Sequence, residues 1–187
     1  MRYNRLVTIL AILALFALVG TAVFVYLPGD ITVSPVAPPV IFQPGSNANG
    51  ADLAGLTISV TIGANSSSFS ITVHPTYQRT YYHDVVQISN PTTPAGDNYF
   101  FGVNVLTPLG SPYRSAQMII WDTGSGAPVL LVDLQQAGLQ GWPTSLPDGA
   151  VYRVDFVFEL PEGVALPAPA TVQIEFVYSP QNTVAPP

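Results

Sequence analysis

The sequence contains no cysteine and no lysine, and only 9% of its 187 residues are charged. Without thiols there are no disulfides to staple an exported domain and no thiolate metal sites. Stability must then come from a packed core, from stiff loops, or from partners. Basic charge is equally scarce: Arg2, Arg5, Arg79, Arg114 and Arg153 face 11 acidic residues, for a net charge of −6. Such a balance repels phosphate backbones and excludes nucleic acid as a partner. Past residue 27, Ala, Leu, Glu and Lys are too few for long helices, which leaves one all-β domain.

Catalytic residues are scarce as well. The two histidines are His74 and His83; Asp84 follows the second, and Ser66, Ser67 and Ser68 form a serine-rich turn. Nothing orders these groups as a nucleophile elbow or a triad, so no catalytic residue and no enzyme activity is expected. HExxH, paired cysteines and an EF-hand loop are all missing. No metal and no cofactor are therefore expected, with loop carboxylates such as Asp97, Asp122 and Asp148 the alternative for a structural calcium.

What is present begins with Arg2 and Arg5 ahead of an uninterrupted apolar run, residues 6–27, containing the small triplet Gly20-Thr21-Ala22. A basic start, an apolar stretch and small residues before a scissile bond form an export signal. Cleavage after Ala22 would divide the chain into a signal (1–22), an arm (23–45) and a domain (46–187) located outside the cell. Loss of the two leader arginines takes the net charge from −6 to −8. The alternative is an uncleaved anchor, since about 20 apolar residues also span a bilayer. On either reading the membrane is met only before export or through that segment.

The arm is studded with Pro28, Pro35, Pro38, Pro39 and Pro44, which forbid helix and remove backbone donors. Between them stand Val23, Phe24, Val25, Tyr26, Leu27, Ile31, Val33, Val36, Val40 and Phe42, all of them apolar, aromatic or β-branched. Many prolines and no cysteine also match the composition of thermostable proteins.

From residue 56 onward apolar and polar residues alternate with the period of a strand. Leu56, Ile58, Val60 and Ile62 share one face; Phe69, Ile71 and Val73 another; a turn at 63–66 joins them into a hairpin. Further strands are expected at 85–89, 99–106, 116–122, 129–134, 151–160 and 171–178, with a helical turn at 135–140 and a loop holding Tyr77, Tyr81 and Tyr82. Strands at this spacing predict a jelly-roll or Ig-like antiparallel β-sandwich preceded by an extended arm. Asn65-Ser66-Ser67 is an Asn-x-Ser acceptor in an exposed turn, which makes Asn65 the glycosylation candidate.

The segment Gly20-Thr21-Ala22-Val23-Phe24 resembles the Gly-Thr-x-Ala-x-Phe region of TasA and camelysin-like biofilm fibre subunits. The strand Val85-Val86-Gln87-Ile88-Ser89-Asn90, with Pro91-Thr92 after it, is similar to a strand of that family ending in Asn before a turn. With no Lys, no Cys and many Pro, the chain looks most like the archaeal bundling pilins of hyperthermophiles that share the fold. The resemblance implies a secreted subunit of an extracellular filament or bundling pilus. Identical copies would join head to tail by donor-strand complementation through Val23, Phe24, Val25, Tyr26, Leu27, Ile31, Val33, Val36, Val40 and Phe42, and neighbouring filaments would bundle laterally in a biofilm matrix. About five such side chains buried at roughly 1.5–3 kcal/mol each would contribute about 10 kcal/mol before ordering costs. Camelysin relatives include metalloproteases, but the helix that would bind metal has no counterpart here. The alternative class is a membrane-anchored extracellular β-sandwich that binds a ligand or an envelope partner.

Overall fold

A computed structural model describes residues 3, 30–92 and 96–183. The chain divides into two units, Met1–Pro35 and Val36–Pro187. The larger is an all-β antiparallel sandwich. Its strands are β1 (Ile41–Pro44), β2 (Ser59–Ile62), β3 (Phe69–Thr72), β4 (Gln78–Ser89), β5 (Tyr99–Thr107), β6 (Ser115–Asp122), β7 (Pro128–Asp133), β8 (Gly138–Leu146), β9 (Val151–Leu160) and β10 (Gln173–Ser179). One layer is the five-stranded sheet β1-β4-β9-β6-β7; against it pack the three-stranded sheet β10-β5-β8 and the hairpin β2-β3.

β9 occupies the centre of the large sheet, between β4 and β6. Its alternation sends Tyr152, Val154, Phe156 and Phe158 into the core, where each is at most 8% exposed. Period-two alternation in 151–160 predicts that Arg153, Asp155 and Glu159 face solvent, and the opposite face departs from that. Asp155 and Val157 are 0% and 2% exposed, because strands on both sides crowd a central strand. The Asp155 carboxylate is satisfied by three partners: it accepts from the Tyr81 hydroxyl, from the Asp84 backbone N–H at 2.7 Å and from Arg153 Nε at 3.4 Å. Arg153 in turn lies 4.8 Å over the Trp121 ring, a favourable cation–π position.

Three further expectations are corrected. β4 is 12 residues long rather than the five expected at 85–89, and Tyr81 and Tyr82 belong to it instead of to a loop. Its polar start, Gln78-Arg79-Thr80, pairs with β9, so tertiary pairing overrides the weak local propensity. A bulge between Tyr82 and Val86 places Asp84 at φ 44°. Residues 135–140 form a turn leading into β8 rather than a helical turn. β8 shows no period-two pattern in the sequence because Gly138, Gly141 and Pro143 interrupt it, which only an edge strand tolerates. At Gly141, φ is 73° and an added Cβ would sit 2.0 Å from the Leu130 side chain, so glycine is required there. Leu56 lies outside β2 and is 45% exposed, although Ile58 and Val60 of the same pattern are buried.

Candidate assembly groove

β3 and β10 are the edges of their sheets, and among the described residues neither pairs with a strand on its free side. Between them runs an open groove of about 1440 Å³ floored by Phe156, Phe158 and Leu160 of β9. Phe69, Ile71 and Val73 line one wall; Val172, Ile174 and Phe176 line the other. All six are the inward positions of alternating strands, yet all six are only half-buried. Unpaired edges also expose backbone N–H and C=O groups that a further strand would satisfy.

Aromatic contacts close one end. Phe42 meets Phe69 edge-on at 4.9 Å and Phe176 at 5.0 Å, while Phe69 and Phe176 lie 5.9 Å apart. At the other end Tyr113 and Tyr82 pack on Phe158 at 6.1 and 6.2 Å. β3 starts at the Phe42 end whereas β10 finishes there, so the two walls run in opposite directions. A strand between them would be parallel to one wall and antiparallel to the other, as in mixed sheets.

The far end of β3 is fastened by a buried carboxylate. Asp52 accepts from Leu53 N at 2.7 Å, from His74 N at 3.0 Å, and pairs with His74 Nδ1 at 2.8 Å. Burial pushes the Asp52 carboxyl up, but these hydrogen bonds, with one from Tyr82, outweigh it and hold the group below its ordinary value. Asp84 is governed in the same way: burial raises it, while bonds from Ser46 and Gln87 and the nearby His83 bring it down. Its carboxylate accepts from Ser46 N at 2.9 Å, fixing the turn that follows β1. Burial first, and then its bond to Asp155, push the Tyr81 hydroxyl up to about 12.

The arm residues singled out from the sequence fall into three groups. Val23, Phe24, Val25, Tyr26 and Leu27 lie outside the described residues, as does the whole apolar run 6–27. Ile31, Val33 and Val36 are 89%, 79% and 87% exposed, in a stretch without regular secondary structure. Val40 and Phe42 are each 6% exposed and belong to the core of their own chain. Phe42 pairs with Ile88 in β1–β4, so the domain begins before residue 46. Asn65 is exposed in the β2–β3 turn. The two histidines are not brought together into a site: His74 is engaged by Asp52, and His83 is exposed on β4 beside Tyr81.

The groove walls were legible only as core. Strict alternation at 69–73 and 172–176 identifies inward positions, but nothing local reveals that the two strands, a hundred residues apart, face each other across a gap. Among the described residues no helix is long and apolar enough to cross a membrane, and no three His, Asp or Glu side chains are grouped to hold a metal ion. No family model matches the chain, and no curated protein matches it.

Proposed function

We propose that this chain is a secreted structural subunit that polymerises head to tail into an extracellular filament, the N-terminal arm of one copy completing the groove of the next. The observation that carries the reading is a groove between the unpaired edges of β3 and β10, in a chain whose arm exposes Ile31, Val33 and Val36. Each part supplies what the other lacks: the arm brings apolar side chains and backbone groups, and the groove offers a half-buried core and two free ladders. Arm and groove are different surfaces, so the contact is heterologous and propagates instead of closing on two copies.

Ile31 and Val33 are two residues apart and share one face of a strand. Pro35 lacks an N–H, which confines ladder pairing to residues 30–34 and leaves Val36 to pack beyond it. Burying these three side chains at about 1.5–3 kcal/mol each contributes roughly 5–9 kcal/mol before ordering costs. Residues 23–27 carry further apolar side chains for the same contact. The likeness of residues 20–24 and 85–92 to biofilm fibre subunits supports the same reading and extends it to lateral bundling.

Deletion of residues 23–36 tests the proposal, because it leaves Val40, Phe42 and β1 in place. The expected product is a folded, soluble monomer that binds a synthetic peptide of residues 30–36. Filaments of the deleted protein under negative-stain microscopy would overturn the role of the arm.

A further inference from the structure

One wall of the groove extends past the start of β10. Its lining runs without a break from Leu166 to Tyr178, so residues 166–171, in the loop between β9 and β10, prolong it. The period of two continues upstream as well. Phe176, Ile174 and Val172 are inward positions of this wall, and Ala170, Ala168 and Leu166 occupy the next three positions of the same parity. By pattern this is one strand, of which only the second half has formed.

The two halves differ in what holds them. From Gln173 to Ser179 the chain is paired with β5. Among the described residues, the backbone of 161–171 makes a single hydrogen bond, in which Val164 O accepts from the Tyr77 hydroxyl at 2.7 Å. Apolar side chains in this half are left in water: Leu166 is 56% exposed although it lines the groove, and Ala168 and Ala170 are exposed too. Leu106, which lines the same groove, is 48% exposed.

The prolines suit a strand that pairs on one side. Alternate residues of a strand direct their N–H and C=O groups to opposite sides, and Pro167 and Pro169 have no N–H. One side of the segment therefore lacks donors, while the other carries those of Leu166, Ala168 and Ala170, a pattern that edge strands tolerate. Each proline also favours extended backbone in the residue before it, here Leu166 and Ala168. Upstream, Gly163 has φ 82° with open space where a Cβ would lie, a turn from which the segment can swing.

We infer that residues 166–171 are an unformed extension of β10 that closes onto the arm of a second copy, pairs with it through Leu166, Ala168 and Ala170, and buries Leu166 against it. An extended chain is the occupant because it offers both things this segment lacks, backbone partners and apolar cover for Leu166 and Leu106; a small apolar ligand would supply only the second. The inference rests on the groove and arm reading above and lengthens one wall by about 20 Å.

Because the chain has no cysteine, single thiols report on the two walls separately. Leu166→Cys and Ile71→Cys are each introduced into the full chain and treated with a maleimide, as monomer below the assembly concentration and again in filaments. Both thiols should react about tenfold more slowly in filaments. Leu166→Ser should also raise the protein concentration needed for filaments about fivefold, since roughly half a leucine side chain is newly buried. Leu166→Met should restore it, and a thermal melt of each monomer confirms the fold. Slowing at position 71 without slowing at 166, or filaments of Leu166→Ser at the native concentration, would overturn the inference and leave the groove as the arm's site. Equal reactivity at position 71 in monomer and filament, or no filaments from the native chain, would overturn both the inference and the proposed function.

Discussion

β9 and β10 carry the same message in sequence and end in different physical states. Tyr152, Val154, Phe156 and Phe158 alternate with polar residues and are at most 8% exposed; Ile174 and Phe176 alternate just as cleanly and remain half-buried, with Tyr178 39% exposed. β9 has a strand on either side, whereas β10 has β5 on one side and the groove on the other. Burial of a strand is thus decided by its neighbours more than by its own pattern, and the deficit along β10 and β3 measures what a missing strand would supply.

Truncating side chains in the two regions sharpens this contrast. Phe101→Ala removes a ring that is 1% exposed and packs on Tyr152, and should cost about 3–5 kcal/mol in urea unfolding of the monomer. Asp155→Leu in the large sheet should cost about 1–3 kcal/mol by leaving the buried Asp84 N–H without its acceptor. In the groove wall, Ile174→Ala should cost the isolated monomer only about 1 kcal/mol, because half the side chain is already in water. In the proposed filaments the same change should clearly lower the melting temperature. Equal losses for Phe101→Ala and Ile174→Ala in the monomer would show that the groove is not an open seam.

The smallest effect concerns pH. Asp52 ionises more readily in the folded protein than at its ordinary value of 3.8, so its contribution to stability is present above that value and is lost as pH falls through the lower folded one. Asp84 and Asp122 are shifted in the same direction and add to the same window. Unfolding midpoints should stay level from neutral pH down to about 4 and drop below it. Asp52→Asn should flatten part of that drop and loosen β3 at its His74 end, which amide exchange of residues 71–74 would register.

Much of the fold was legible because alternation is a local signal. The segments expected at 69–73, 99–106, 116–122, 129–134, 151–160 and 171–178 all contain strands close to those bounds, and the one expected from Leu56 to Ile62 holds β2 in its second half. Elements held by pairing alone were not legible: the start of β4 at Gln78, the whole of β8, and the bulge that buries Asp84. On the candidate site, the exposed arm positions Ile31, Val33 and Val36 could be named from sequence, but Val40 and Phe42 share their chemistry and lie instead in the core. A run of apolar residues between prolines does not specify where it leaves the protein.

By itself the sequence determined an all-β chain with a stiff, apolar, proline-rich lead-in and a core built from period-two strands, because side-chain direction and proline geometry are fixed within a few residues. Only the tertiary structure decided which of those strands would lack a neighbour, since β3 and β10 meet across a gap through contacts more than a hundred residues apart in the chain.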